Sequence, residues 1–214
     1  MKIGIFGGTF NPIHTGHAII ANYVIQNCGL DRLWLMVSPL NPFKVAQGEH
    51  HDTERLRMVE MVSSKLENVE TSGFEFSLPR PSYTIDTLNA LQSKFPQHEF
   101  YLVIGADNWV SFDKWDRYEE ILEKFKVLVY PRSGYDTELP ARFASSVTMI
   151  DAPLVELSST EIREGLKMMK NMSFYLPDDV YRYISYLQQT PLNIHLPQPK
   201  LGSSPRAPDY THLP

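Results

Sequence analysis

The chain has 214 residues, enough for one generous domain with a sizeable core. An apolar share of 43% suits a globular fold, and a formal charge of −5 argues against a surface that coats nucleic acid or anionic lipid. A single cysteine, Cys28, excludes an intramolecular disulfide framework and a cysteine-based zinc site.

At the amino end, Lys2 is followed by a short apolar run, Ile3 to Phe6, too brief for a secretory signal core. Ala18 to Leu30 contains Asn22, Gln26 and Asn27, and is too short and too polar to span a bilayer. The expectation is a cytoplasmic protein with no membrane partner. KIGIF predicts a buried strand, and HAIIANYVIQNCG a helix with Gly29 as its C-cap. RLWLMVSP predicts a second strand. DTERLRMVEMVSSKL predicts a helix with Asp52 as N-cap and an apolar stripe at Leu56, Val59, Val62 and Leu66. NVETSGFEFS reads as extended, SYTIDTLNALQSKF as a helix and EFYLVIGAD as a strand. YEEILEKF is a helix, KVLVYPR and SVTMIDAP are strands, and SSTEIREGLKMM opens a helix behind a Ser/Thr cluster. DDVYRYISYL is a final amphipathic helix.

The strands are continuous apolar runs and alternate with helices. That pattern predicts an α/β fold, a parallel sheet with helices on both faces, over residues 1–189. Residues 190–214 are rich in proline and lack a period, so they are expected to be disordered or to dock as an extended segment. In parallel α/β folds ligands bind beyond the carboxyl ends of strands. Four segments fall there: the glycines after the first strand, then SPLNPFK, GADNW and PRSG.

The first of these, GIFGGTFNPIHTGH, carries the most chemistry. Glycines after a strand let backbone N–H groups approach a phosphate, and the following helix adds its positive end. The segment is neither GxGxxG nor GxxxxGK[ST], and the chain has no Gly-Lys pair. Its distinctive part is His14-Thr15-Gly16-His17, two imidazoles one helical turn apart and able to donate to phosphate oxygens. His50 and His51 read as solvated loop residues ahead of a helix. KMMKNMS reads as a helix end with its methionines packed inward.

GGTFNPIHTGH resembles the GGxFxPxHxGH signature of the HxGH nucleotidyltransferase superfamily. SPLNPFK, PSYTIDTL, IGADNWVSFDKW and LSSTEIR follow in the order and spacing of the bacterial nicotinate-nucleotide adenylyltransferases. The resemblance covers roughly Met1 to Leu187 and implies a Rossmann-like sheet. It further implies transfer of an adenylyl group from ATP to nicotinate mononucleotide, with Mg2+ as cofactor held mainly by phosphates and water. No metal ligand is expected from the protein.

By that resemblance, His14 and His17 contact the ATP phosphates, with Lys44 and Arg132 adding positive charge. Gly7, Gly8, Thr9 and Phe10 supply the backbone cradle, and Ser158, Thr160 and Arg163 reach phosphates from the opposite side. Gly105 and Asp107 lie at the adenosine ribose. Thr84, at a helix start, and Trp115 form the nicotinate pocket, helped by the main chain near Asp116, where many relatives carry an aromatic. A phosphopantetheine-type adenylyltransferase is the alternative within the superfamily, and a non-catalytic nucleotide-binding protein the alternative outside it. The motifs do not fix the oligomeric state, and a homo-oligomer is compatible with them.

Overall fold

The computed structural model describes residues 1–39, 50–135 and 139–189. Among them, six strands form one sheet: β1 (Lys2–Gly8), β2 (Arg32–Val37), β3 (Val69–Ser72), β4 (Glu99–Gly105), β5 (Lys126–Tyr130) and β6 (Val147–Met149). The helices are α1 (Thr15–Asn27), α2 (Asp52–Ser63), α3 (Thr84–Lys94), α4 (Ala106–Trp109), α5 (Tyr118–Lys124), α6 (Ser159–Lys167) and α7 (Asp178–Gln189). Lys44 and the rest of SPLNPFK beyond Pro39 lie outside the described residues, as does the 190–214 segment.

The strand order is β3-β2-β1-β4-β5-β6, and every neighbouring pair is parallel. The order reverses between β1 and β4, so a crevice opens beyond their carboxyl ends.

Alternation along each strand builds a core on both faces of the sheet. Phe6, Leu33, Leu35, Val37, Val103 and Leu128 face one side and pack with α1, α2, α6 and α7 through Ile20, Val24, Met58, Val59, Ile162, Val180 and Ile184. Ile3, Ile5, Phe100, Leu102, Ile104, Val127 and Val129 face the other, against Ile85, Leu88 and Leu91 of α3 and Ile121 of α5. Gly4 is required here, because a Cβ would stand 2.6 Å from Leu30 Cδ1 and 2.7 Å from Leu33 Cδ1. Gly29, at φ +66°, ends the α1 segment in the left-handed conformation that its glycine permits.

Four local expectations are corrected. Of the KMMKNMS methionines only Met172 packs inward, while Met168 and Met169, just past the end of α6, are exposed. Asp52 is the first helical residue of α2 and His51 its N-cap, because the His51 N–H donates to Glu54 Oε2 at 3.0 Å. His50 is half-buried with Nδ1 3.4 Å from the same carboxylate oxygen, so it is held at the helix start, whereas His51 is exposed ahead of the helix as expected. Phe74–Ser77 is a 3-10 turn, not extended chain, with the Leu78 N–H closing onto Glu75 C=O.

Candidate active site

β1 runs through both glycines, and the chain then turns sharply at Phe10, where φ is +45°. A Cβ at Gly7 would meet nothing within 4 Å, so the strand end borders open space. The turn is fastened from behind by three side chains. Arg55 of α2 donates to the Thr9 C=O, Arg163 of α6 to the Asn11 C=O at 2.7 Å, and Ser159 of α6 to the Pro12 C=O at 2.9 Å.

His14 is the N-cap of α1 and His17 lies in its first turn. Their rings stack at a centroid distance of 3.7 Å and 28° between planes, and the His17 ring meets Phe6 and Phe10 edge-on. Gly16 leaves room for this, since a Cβ there would stand 3.0 Å from His14 Nδ1 and from Val155 Cγ1. The His14 N–H donates to His17 Nδ1 at 3.3 Å. With Nδ1 accepting, the neutral ring carries its proton on Nε2, which leaves Nε2–H as a donor.

Burial, helped by Arg132 and opposed by Glu161, pushes the His14 imidazole down to about 4. Burial, with His14 and Arg132 adding to it, holds His17 well below the ordinary histidine range. Both rings are therefore neutral at pH 7, which is what lets them stack. His14 Nδ1 is buried with no hydrogen-bond partner among the described residues.

The opposite wall is the start of α6. Ser158 caps it: its hydroxyl accepts from the Glu161 N–H at 3.2 Å and donates to Glu161 Oε2 at 2.8 Å. Arg163 Nη2 donates to Thr160 Oγ1 at 3.2 Å. Thus Ser158 and Thr160 are engaged within α6, while Arg163 reaches the amino-terminal turn itself.

At the end of β4, Gly105 is required because a Cβ would collide with Asp107 Oδ1 and stand 3.1 Å from the Tyr130 hydroxyl. Arg132 Nε lies 3.7 Å from Asp107 Oδ1, and its Nη1 donates to the Val155 C=O at 3.3 Å. Burial pushes the Tyr130 hydroxyl up to about 12.

The Thr84 segment and the Trp115 segment are joined by one residue. Arg117, at φ +47°, pairs with Asp86 in the first turn of α3, with Asp116 at 2.9 Å and with Glu120 at 3.5 Å. Asp116 thus has its charge matched by its own neighbour. Trp115 is half-buried and tilts against Phe112 at 5.1 Å between ring centroids.

The structure therefore brings together His14, His17, Arg132, Asp107, Gly105 and Arg163 around the strand ends, with Thr84, Trp115 and Asp116 as a second group. Arg55, Ser159, Tyr130 and Arg117 were not found from sequence. Their partners are distant in the chain, as with Arg55 and Thr9 at 46 residues, or the residue type is common on surfaces.

A parallel α/β sheet of this order, with paired imidazoles at the start of its first helix, defines a nucleotidyltransferase. The cytidylyltransferase-like family model matches residues 5–165. Two curated relatives, from Bacteroides fragilis and Flavobacterium psychrophilum, are 46% and 45% identical over 88% and 87% of this chain and 92% and 97% of their own lengths. Both are named "Probable nicotinate-nucleotide adenylyltransferase". A Plasmodium falciparum nicotinic acid mononucleotide adenylyltransferase, solved with NaAD, superimposes with a TM-score of 0.72 at 18% identity, over 88% of this chain and 96% of that one, a likeness of fold. The chain belongs to the cytidylyltransferase-like family and, within it, to the nicotinate-nucleotide adenylyltransferases.

Proposed function

We propose that this enzyme joins ATP to nicotinate mononucleotide, giving nicotinate adenine dinucleotide and pyrophosphate, in NAD biosynthesis. The observation that carries the site assignment is the stacked, neutral His14–His17 pair at a helix start with no acidic residue in its first turn. That start is fit for a polyanion: the positive end of the helix and imidazole donors converge there.

The nucleophile is the phosphate of the mononucleotide, already ionised near neutral pH, so no strong side-chain base is needed. Its oxygen bonds to the α-phosphorus of ATP while the bond from that phosphorus to the bridging oxygen breaks, and pyrophosphate leaves with the electron pair. The protein's work is to hold two anions in line and to meet the charge that develops. His17 Nε2–H and His14 supply donors; Arg132, Arg163 and Lys44 supply charge. The Gly7–Phe10 backbone cradles the phosphates, and Gly105 and Asp107 meet the ribose. Ser158 and Thr160 shape the α6 wall.

Magnesium fits this site as an ion brought by the nucleotide. Among the described residues no group of three His, Cys, Asp or Glu could hold a metal, and His17, Arg132 and Arg163 carry donors that suit phosphate oxygens. When bound to the phosphates, the ion neutralises part of their charge and orients them.

The nicotinate carboxylate is read by the start of α3 at Thr84, with Trp115 stacking on the pyridine and the main chain at Asp116 assisting. Arg117 supports this reading, because its one positive charge offsets part of the negative charge that Asp86 and Asp116 bring to the pocket. The test is pyrophosphate release from ATP with nicotinate and nicotinamide mononucleotides in parallel. A higher kcat/KM for the acid is expected; equal values overturn the pocket assignment.

A further inference from the structure

We propose that Arg55 is a positioning residue for nucleotidyl transfer, acting through the Thr9–Phe10 peptide.

Arg55 is fully buried, and so is Phe10. A buried guanidinium costs several kcal/mol in lost hydration unless its donors are met. Here one arm donates to the Thr9 C=O and the other pairs with Asp52 Oδ1 at 2.6 Å. Asp52 Oδ2 is in turn 3.4 Å from Arg80 Nη2. Its two nitrogen arms are thus held between one carbonyl of the turn and one carboxylate of its own helix.

In a trans peptide the C=O and the following N–H point in opposite directions. Pulling the Thr9 oxygen toward α2 therefore turns the Phe10 N–H away from α2. Ser159 pulls the Pro12 oxygen toward α6 in the same manner, while Arg163 holds the Asn11 oxygen, whose peptide ends on Pro12 and carries no N–H. With the Thr9 and Pro12 carbonyls drawn back, the Phe10 and Ile13 N–H groups are turned from those latches, and N–H groups are what an anion needs. Phe10 holds φ +45°, an unfavourable conformation for a residue with a side chain, so the peptide on its amino side gains from an external latch.

This inference rests on the reading that the turn binds the triphosphate. Arg55 touches no substrate; it sets the direction of a group that does. The experiment compares Arg55→Met, Arg55→Lys and Asp52→Asn with wild type, with folding checked by circular dichroism and melting. For Arg55→Met, kcat/KM for ATP is expected to fall about 10- to 100-fold, with KM for the mononucleotide within about twofold. Arg55→Lys, which keeps one donor for the Thr9 oxygen, recovers part of that loss. Asp52→Asn, which keeps the arginine but loosens it, gives a smaller loss in the same parameter. If Arg55→Met does not fold, the other two variants decide. Folded Lys and Asn variants with wild-type kcat/KM for ATP, or losses shared equally by both substrates, overturn the proposal. His17→Ala is run alongside: full turnover there sinks the reading of the turn itself, whereas a loss there with unaffected Arg55 variants sinks only the role of Arg55.

Discussion

Four helices in this molecule begin in the same way and differ in one residue. At the starts of α1, α2, α3 and α6, the N-cap N–H is bonded by the side chain three residues on. In α2, α3 and α6 that side chain is a carboxylate: Glu54, Asp86 and Glu161. In α1 it is His17. A carboxylate is the better partner for a helix start in isolation, because it also meets the positive end of the helix dipole. The chain gives up that gain at α1 alone. An anion already seated there would repel a triphosphate, whereas an imidazole satisfies the cap and keeps a second nitrogen for the substrate. The starts of α2 and α6 keep a carboxylate cap and that of α1 is built to receive charge; at α3, in the proposed nicotinate pocket, the capping Asp86 is itself paired with Arg117.

The comparison can be broken most sharply by making α1 resemble the others. His17→Asp restores a carboxylate cap and is expected to lower kcat/KM for ATP by about 10³-fold or more, with melting temperature held or raised. Steady-state kinetics beside a thermal melt checks both halves; an active aspartate variant would end the distinction. His17→Ala removes the donor without adding charge, so kcat falls by about 10²–10³-fold. Lost capping costs it about 1 kcal/mol of stability in denaturant titration.

Arg117→Met tests α3, whose start sits in the proposed nicotinate pocket. With Asp86 and Asp116 unmatched, KM for the mononucleotide is expected to rise by about 2- to 5-fold, the modest effect typical of an exposed pair. KM for ATP should not move. The smallest effect belongs to α2: Glu54→Gln keeps a cap acceptor and should change stability by less than about 1 kcal/mol, with unaltered kinetics.

The imidazoles also predict how stability follows pH. His14 titrates near 4 in the folded chain against about 6.5 when unfolded, and His17 is shifted in the same direction. Between those values the unfolded chain takes up protons that the folded chain refuses. Their contribution is therefore fully present above about pH 6.5 and is lost as pH falls toward 4. Replacing His14 by Gln should flatten that part of a stability–pH curve measured by denaturant unfolding.

Much of this was legible in the chain because buried parallel strands are apolar runs that end at glycines or prolines. Ile3–Phe6, Leu33–Val37 and Phe100–Ile104 were readable for that reason, and so was the phosphate turn between β1 and α1. The start of α2 was misread by one residue: an acid at Asp52 serves equally as cap or as first-turn residue, and only the Glu54 bond to the His51 N–H decides. Phe74–Ser77 has an alternating pattern that suits extended chain, but it follows directly on β3 and closes on itself, the Phe76 N–H onto the Gly73 C=O and the Leu78 N–H onto the Glu75 C=O. Arg55 was hidden most completely. Position 55 falls on the same face as the stripe, four residues before Val59 and seven before Val62, but an arginine there reads as charge and not as core; the observed buried face runs through Arg55, Met58, Val59 and Val62. Nothing local announces a buried arginine; its warrant is a carbonyl 46 residues earlier.

The latches on the phosphate turn have a consequence for how the protein is made. Ser159 and Arg163 lie 147 and 152 residues downstream of the carbonyls they hold. A growing chain on the ribosome therefore carries its signature motif from the outset but cannot finish shaping it until α6 has emerged from the exit tunnel. Catalytic competence is thus a late event of synthesis, and fragments that stop short of α6 should gather a sheet before they gain an active centre.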